Sequence, residues 1–117
     1  MADRIYKISE EYTDSPGGRN ITEGPFSGED FRKKVLEPFF KNKKTGDILV
    51  IDLNDLNGYP SSFFEEAFGG IARIYKPEEV LKSIKFNCTD DPLVIDDMIS
   101  YINQEYAEKW EKNIFWY

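Results

Sequence analysis

Alternating strands and amphipathic helices predict a small α/β domain, with a mixed β-sheet of about four strands packed against about three helices. Three observations carry this. An aliphatic run, Ile48 to Ile51, lies between polar turns; residues 83–88 alternate cleanly; and three stripes of apolar residues recur at helical spacing. At 117 residues the chain is one domain, 1–117, with 91–117 forming a C-terminal helix and an aromatic tail.

"RIYKIS" (Arg4 to Ser9) has strand composition, with Ile5 and Ile8 among polar residues. "DSPGGRN" follows as a turn, because proline presets one φ and two glycines permit the next. "RNITEG" is expected to return as a short strand and close a hairpin with the first. Ser27 then caps a helix whose first turn holds Glu29 and Asp30, where the macrodipole favours anions. Its stripe is Phe31, Val35, Leu36, Phe39 and Phe40, and Pro38 should bend or end it.

"DILVIDL" (Asp47 to Leu53) reads as a central strand covered on both faces. The loop "NDLNGYPSS" leads into a third amphipathic segment. Phe64, Ala67, Phe68, Ile71 and Tyr75 form its core face, and Glu65, Glu66 and Arg73 mark the polar one. Ser62 and Glu65 fit the S-x-x-E capping box, and Gly69 and Gly70 mark a close backbone approach. "SIKFNC" turns Ile84, Phe86 and Cys88 to one side of a strand, so Cys88 is a small core residue. Asp91 and Pro92 begin a last helix striped by Ile95, Met98, Ile99, Ile102, Tyr106 and Trp110. The tail "NIFWY" is a last packing element or an exposed contact.

Composition excludes much chemistry. The chain has no histidine, which removes Ser-His-Asp and Cys-His catalysis and histidine general bases. One cysteine closes no internal disulfide. With neither a histidine set nor a calcium-loop spacing, no metal site is expected around Asp52, Asp55, Asp90, Asp91, Asp96 and Asp97. A net charge of −7 repels nucleic acid and anionic membranes, and no apolar segment is long enough for a signal or a span, so the chain reads as cytoplasmic. No phosphate-loop motif is present, and no cofactor is expected.

An aliphatic strand, a short loop, a serine pair and a glycine-containing helix, "LVIDLNDLNGYPSSFFEEAFGGI", resemble the STAS domain of anti-sigma factor antagonists. The resemblance is closer to STAS-like domains of unknown function, which share a P-G-G-R turn, a G-P-x-S-G-E-x-F-R helix start, an L-x-P helix middle and an S-S-F-x-E-E-A-F-G-G block. Here these are "PGGR" (Pro16 to Arg19), "GPFSGEDFR" (Gly24 to Arg32), "LEP" (Leu36 to Pro38) and "SSFFEEAFGG" (Ser61 to Gly70). The resemblance implies the fold and a non-enzymatic regulatory role beside a histidine-kinase-like ATPase. It offers Ser61, with Ser62 beside it, as the phosphorylated position of a switch. Asn57, Gly58, Tyr59, Pro60, Ser61, Ser62, Phe63 and Glu66 are then the partner-binding residues. Two other readings stay open: a structural or self-associating subunit that uses the tail as its contact, and a small hydrolase or transferase using Ser61 or Ser62 with a lysine or carboxylate base.

Overall fold

The structure is a computed structural model, and it describes residues 3–104. Three strands form one sheet in the order β1 (Asp3–Lys7), β2 (Ile48–Asp52), β3 (Ile84–Asn87). All pairings are parallel, with Ile5 opposite Val50 and Ile51 opposite Phe86. This corrects the expected mixed sheet of about four strands. The supposed return strand is a 3-10 turn, Ile21–Glu23, closed by a capping box between Asn20 and Glu23, so no hairpin forms. Side chain and backbone of Asn20 and Glu23 satisfy each other locally, which leaves nothing for a ladder.

Among the described residues five helices replace the expected three. The first strand runs directly into α1 (Ile8–Glu11). Helix α2 covers 28–42 as an α-helical turn (Gly28–Phe31), a π-helical stretch (Arg32–Leu36) and a second α-helical part (Glu37–Asn42). Pro38 does not end it. The Glu37 N–H reaches back to the Arg32 carbonyl, and this wider turn admits a residue that has no N–H to donate. Helix α3 covers 61–75 and is likewise built of Ser61–Phe64, a π-helical Glu65–Gly69 and Gly70–Tyr75. Lys76, at φ +76°, breaks the chain direction, and Pro77 opens α4 (Pro77–Ser83). Helix α5 (Leu93–Ile102) ends with Gln104 at φ +64°, so the described helix stops before Tyr106 and Trp110. Those two residues and the aromatic tail lie outside the described residues.

The inner sheet face presents Tyr6, Leu49, Ile51, Ile84 and Phe86 to the helices, whose Phe31, Phe63, Phe64, Phe68 and Ile71 complete the core. The rings meet edge to face, tilted or stacked: Phe68 to Phe86 edge to face at 5.0 Å, Phe31 to Phe63 tilted at 5.7 Å and Phe64 parallel to Phe68 at 6.2 Å. The outer sheet face is more open. Ile5 is 66% exposed and Val50 half-buried, so among the described residues the central strand is fully covered on one face only.

Candidate functional site

Because the strands are parallel, their carboxyl ends all point to one end of the molecule, where α/β sheets place their binding loops. Asn54 joins two of these loops, its Oδ1 accepting from the N–H groups of Thr89 (2.8 Å) and Asp90 (2.9 Å). Asp55, held at φ +65°, donates its N–H to Asp90 at 2.8 Å and takes an ion pair from Lys7 at 2.7 Å. Asn57 straps the same loop to the region after α1: its N–H donates to the Asp14 carbonyl (2.8 Å) and its Nδ2 to Ser15 Oγ (2.7 Å). Half-buried Tyr59 donates to the Leu53 carbonyl (3.2 Å) and lies 3.5 Å from the buried Cys88 thiol. Burial, then the Cys88 contact, push its hydroxyl well above the ordinary tyrosine value.

The rigid loop delivers Pro60, Ser61 and Ser62 at the start of α3. Both serines are half-exposed, and no side-chain hydrogen bond caps this helix. The expected capping box from Ser62 to Glu65 is not formed, because the helix begins at Ser61 with Pro60 in the cap position, and Glu65 is bonded elsewhere. Glu65 turns inward and is only 7% exposed; it accepts from Arg73 Nη1 at 2.8 Å and from Arg19 Nη1. Glu66 accepts from Arg32 Nη1 at 2.7 Å and from Arg19 Nη1 at 3.5 Å, while Arg32 Nε donates to Glu37 at 3.0 Å. Burial alone would raise the Glu65 carboxyl, but the bonds from Arg73 and Arg19 outweigh it and hold the group below its ordinary value. The two glutamates are thus compensated anions and not a solvated polar face.

The glycines make this packing feasible. A Cβ at Gly69 would lie 2.5 Å from Glu65 Oε2 and 3.1 Å from the Tyr101 carbonyl, and one at Gly70 would lie 3.0 Å from Arg32 Cδ. The close approach expected at the pair is therefore to α5 and to the arginines. Gly28 matters more: its Cβ would sit 2.2 Å from the Phe63 carbonyl oxygen, so the start of α2 rests on the first turn of α3.

Of the residues expected to meet a partner, Asn57 is exposed and Gly58, Tyr59, Pro60, Ser61, Ser62 and Glu66 are partly so. Phe63 is not available: it is wholly buried against Phe31 and Phe64, because the helix turns it into the core. Sequence reasoning missed the arginine–glutamate cluster. "PGGR" was visible as a motif, but nothing in its spacing pairs Arg19 with residues 46 and 47 positions away. Of the clustered aspartates, Asp52 and Asp91 act locally, accepting from the Asn54 and Leu93 N–H groups, while Asp55 and Asp90 tie separate segments together. Among the described residues no three side chains converge as a metal site would require, and no helix is long and apolar enough to cross a membrane.

Comparison with curated proteins and with solved structures gives no match. The family model of the STAS-like domain of unknown function (DUF4325) matches residues 27–93, from the cap of α2 to the first residue of α5. That span is more than half of the chain and contains the whole serine-pair segment and α2, which packs on its first turn, so the chain belongs to the family of STAS-like domains of unknown function.

Proposed function

We propose that this domain is a non-enzymatic regulatory module, similar in role to an anti-sigma factor antagonist, that docks a histidine-kinase-like ATPase through the loop and helix start at Ser61-Ser62. One observation carries the reading. Two half-exposed serine hydroxyls, in the first turn of a helix whose cap residue is Pro60, make no capping bond and stand at the start of the helix that leaves the central strand. Hydroxyls in that state are open to a partner and to modification, while the strapped loop behind them holds their positions. Phosphate there would bring about −1.5 to −2 charges to a docked surface, enough to alter binding without refolding.

The test is to mix the full chain with a candidate histidine-kinase-like ATPase from the same organism, with ADP, ATP or no nucleotide, and to resolve complexes by size-exclusion chromatography. A complex weakened at least tenfold by Ser61→Asp and Ser62→Asp is expected. Absence of any complex in all three states overturns the docking role, and a complex indifferent to both substitutions removes the switch.

A further inference from the structure

We propose that Ser62 is the modified serine of this site and that Arg19 is the side chain that receives its phosphate. The inference rests on the docking reading above only for the source of the phosphoryl group.

Ser62 precedes Glu65 and Glu66 by three and four residues. On a helix such neighbours share a face, with about 5–6 Å between Cβ atoms. Side chains also lean toward the helix N-terminus, so the two carboxylates reach back toward the level of Ser62. Ser61 has this relation to Glu65 alone. Arg19 bridges the same two carboxylates from outside α3.

Its backbone is fixed there. The Gly28 N–H donates to the Gly18 carbonyl and the Glu29 N–H to the Arg19 carbonyl, each at 2.9 Å, and Gly28 itself presses on the Phe63 carbonyl. The arginine of the "PGGR" turn is thereby held beside the first turn of α3.

Arg19 is also the arginine the cluster can share. Glu65 keeps Arg73 and Glu66 keeps Arg32, whatever Arg19 does. Both carboxylate bonds of Arg19 come from Nη1; among the described residues Nε and Nη2 donate to no carboxylate. The side chain is 36% exposed, against 14% for Arg32, so an incoming phosphate can reach it. A guanidinium presents its donors as a planar fork suited to two phosphate oxygens.

In the step, a bond forms between Ser62 Oγ and the γ-phosphorus of ATP held by the ATPase. The bond from that phosphorus to the bridging oxygen breaks, ADP departs, and the hydroxyl proton passes to solvent. The product phosphate would tie the start of α3 to the 16–27 loop through Arg19.

The experiment needs no partner. Phosphoserine is incorporated during translation at position 62 or 61 of the full chain, and the second ionisation of each phosphate is followed by 31P NMR against pH. The Arg19 guanidinium favours the dianion and the Glu65 and Glu66 carboxylates, each kept by a second arginine, oppose it; with Arg19 bonded to the phosphate, the group at 62 should titrate about one unit below the usual value near 6, a tenfold stronger acid, and the one at 61 close to it. Arg19→Gln should return the phosphate at 62 to the value at 61, and Arg19→Lys should return it part of the way. If circular dichroism shows Arg19→Gln unfolded, Arg19→Lys decides.

Equal titration at both positions, or a phosphate at 62 indifferent to substitution of Arg19, overturns the assignment. Failure of the ATPase to bind would overturn the docking reading without changing this titration, so the two can fail separately.

Discussion

At the residue scale Glu65 governs the cluster. A carboxylate this buried is stable as an anion because two guanidiniums reach it, and its folded pKa is consequently depressed. Replacing it by glutamine leaves Arg19 and Arg73 without their shared anion. Both arginines are partly exposed and recover some hydration, so Glu65→Gln should cost about 1–3 kcal/mol of unfolding free energy, read by urea titration. The sign with pH follows from the depression: this contribution is present above the ordinary glutamate value of 4.5 and is lost as pH falls below it toward the folded value. In Glu65→Gln the loss of stability between pH 5 and pH 3 should be correspondingly shallower. Cys88 makes a second residue-scale case. It is 3% exposed beside Tyr59, so its thiol should react with a disulfide reagent only as fast as the domain opens, and at once in denaturant. Its burial was legible from alternation alone, since Ile84, Phe86 and Cys88 share a face. The burial of Glu65 was not legible, because a carboxylate on a helix is ordinarily solvated.

At the element scale α3 shows why a helix tolerates two interior glycines. Each glycine costs about 1 kcal/mol of helix propensity, yet a methyl group at either position would strike the ion cluster or α5. The rule that glycine to alanine stabilises a helix should therefore fail at contacts with backbone. Gly28→Ala, with its Cβ 2.2 Å from the Phe63 carbonyl, should destabilise by about 1–3 kcal/mol in chemical denaturation. Gly17→Ala, with nothing within 4 Å, should stay within about 1 kcal/mol of the parent. The apolar stripes located α2 and α3 correctly, since Phe31, Leu36, Phe40, Phe64, Ala67, Phe68 and Ile71 are all buried. Their π-helical turns were illegible, because hydrophobic period does not distinguish a 3.6-residue turn from one locally widened beside a proline or a glycine pair.

At the scale of the whole molecule, a parallel sheet gathers the start of α1 and the loops after β2 and β3 at one end, and α2 and α3 along one face. Acid should loosen this assembly as a unit. Besides Glu65, the Glu29 carboxyl is held below its ordinary value by the Ile21 N–H and then by Lys33, and it ties the 3-10 turn to α2. A melting temperature that falls steadily below pH 4.5, with no matching loss between pH 6 and 8, is the expected profile by circular dichroism; with no histidine present, no side chain of ordinary pKa titrates in the upper range. The sequence by itself determined the α/β class, the places of β1, β2 and β3 among the four strands expected, most of the core face of each helix and the serine pair at a helix start. Each of these is fixed by local composition and by periods of a few residues. Tertiary structure decided that every strand is parallel, that "RNITEG" closes on itself, that Phe63 faces the core, and that Glu65 and Glu66 belong to Arg19, Arg32 and Arg73. Those outcomes depend on pairings tens of residues apart. Burial of charge is permitted only where such a partner arrives, and no local pattern announces its arrival.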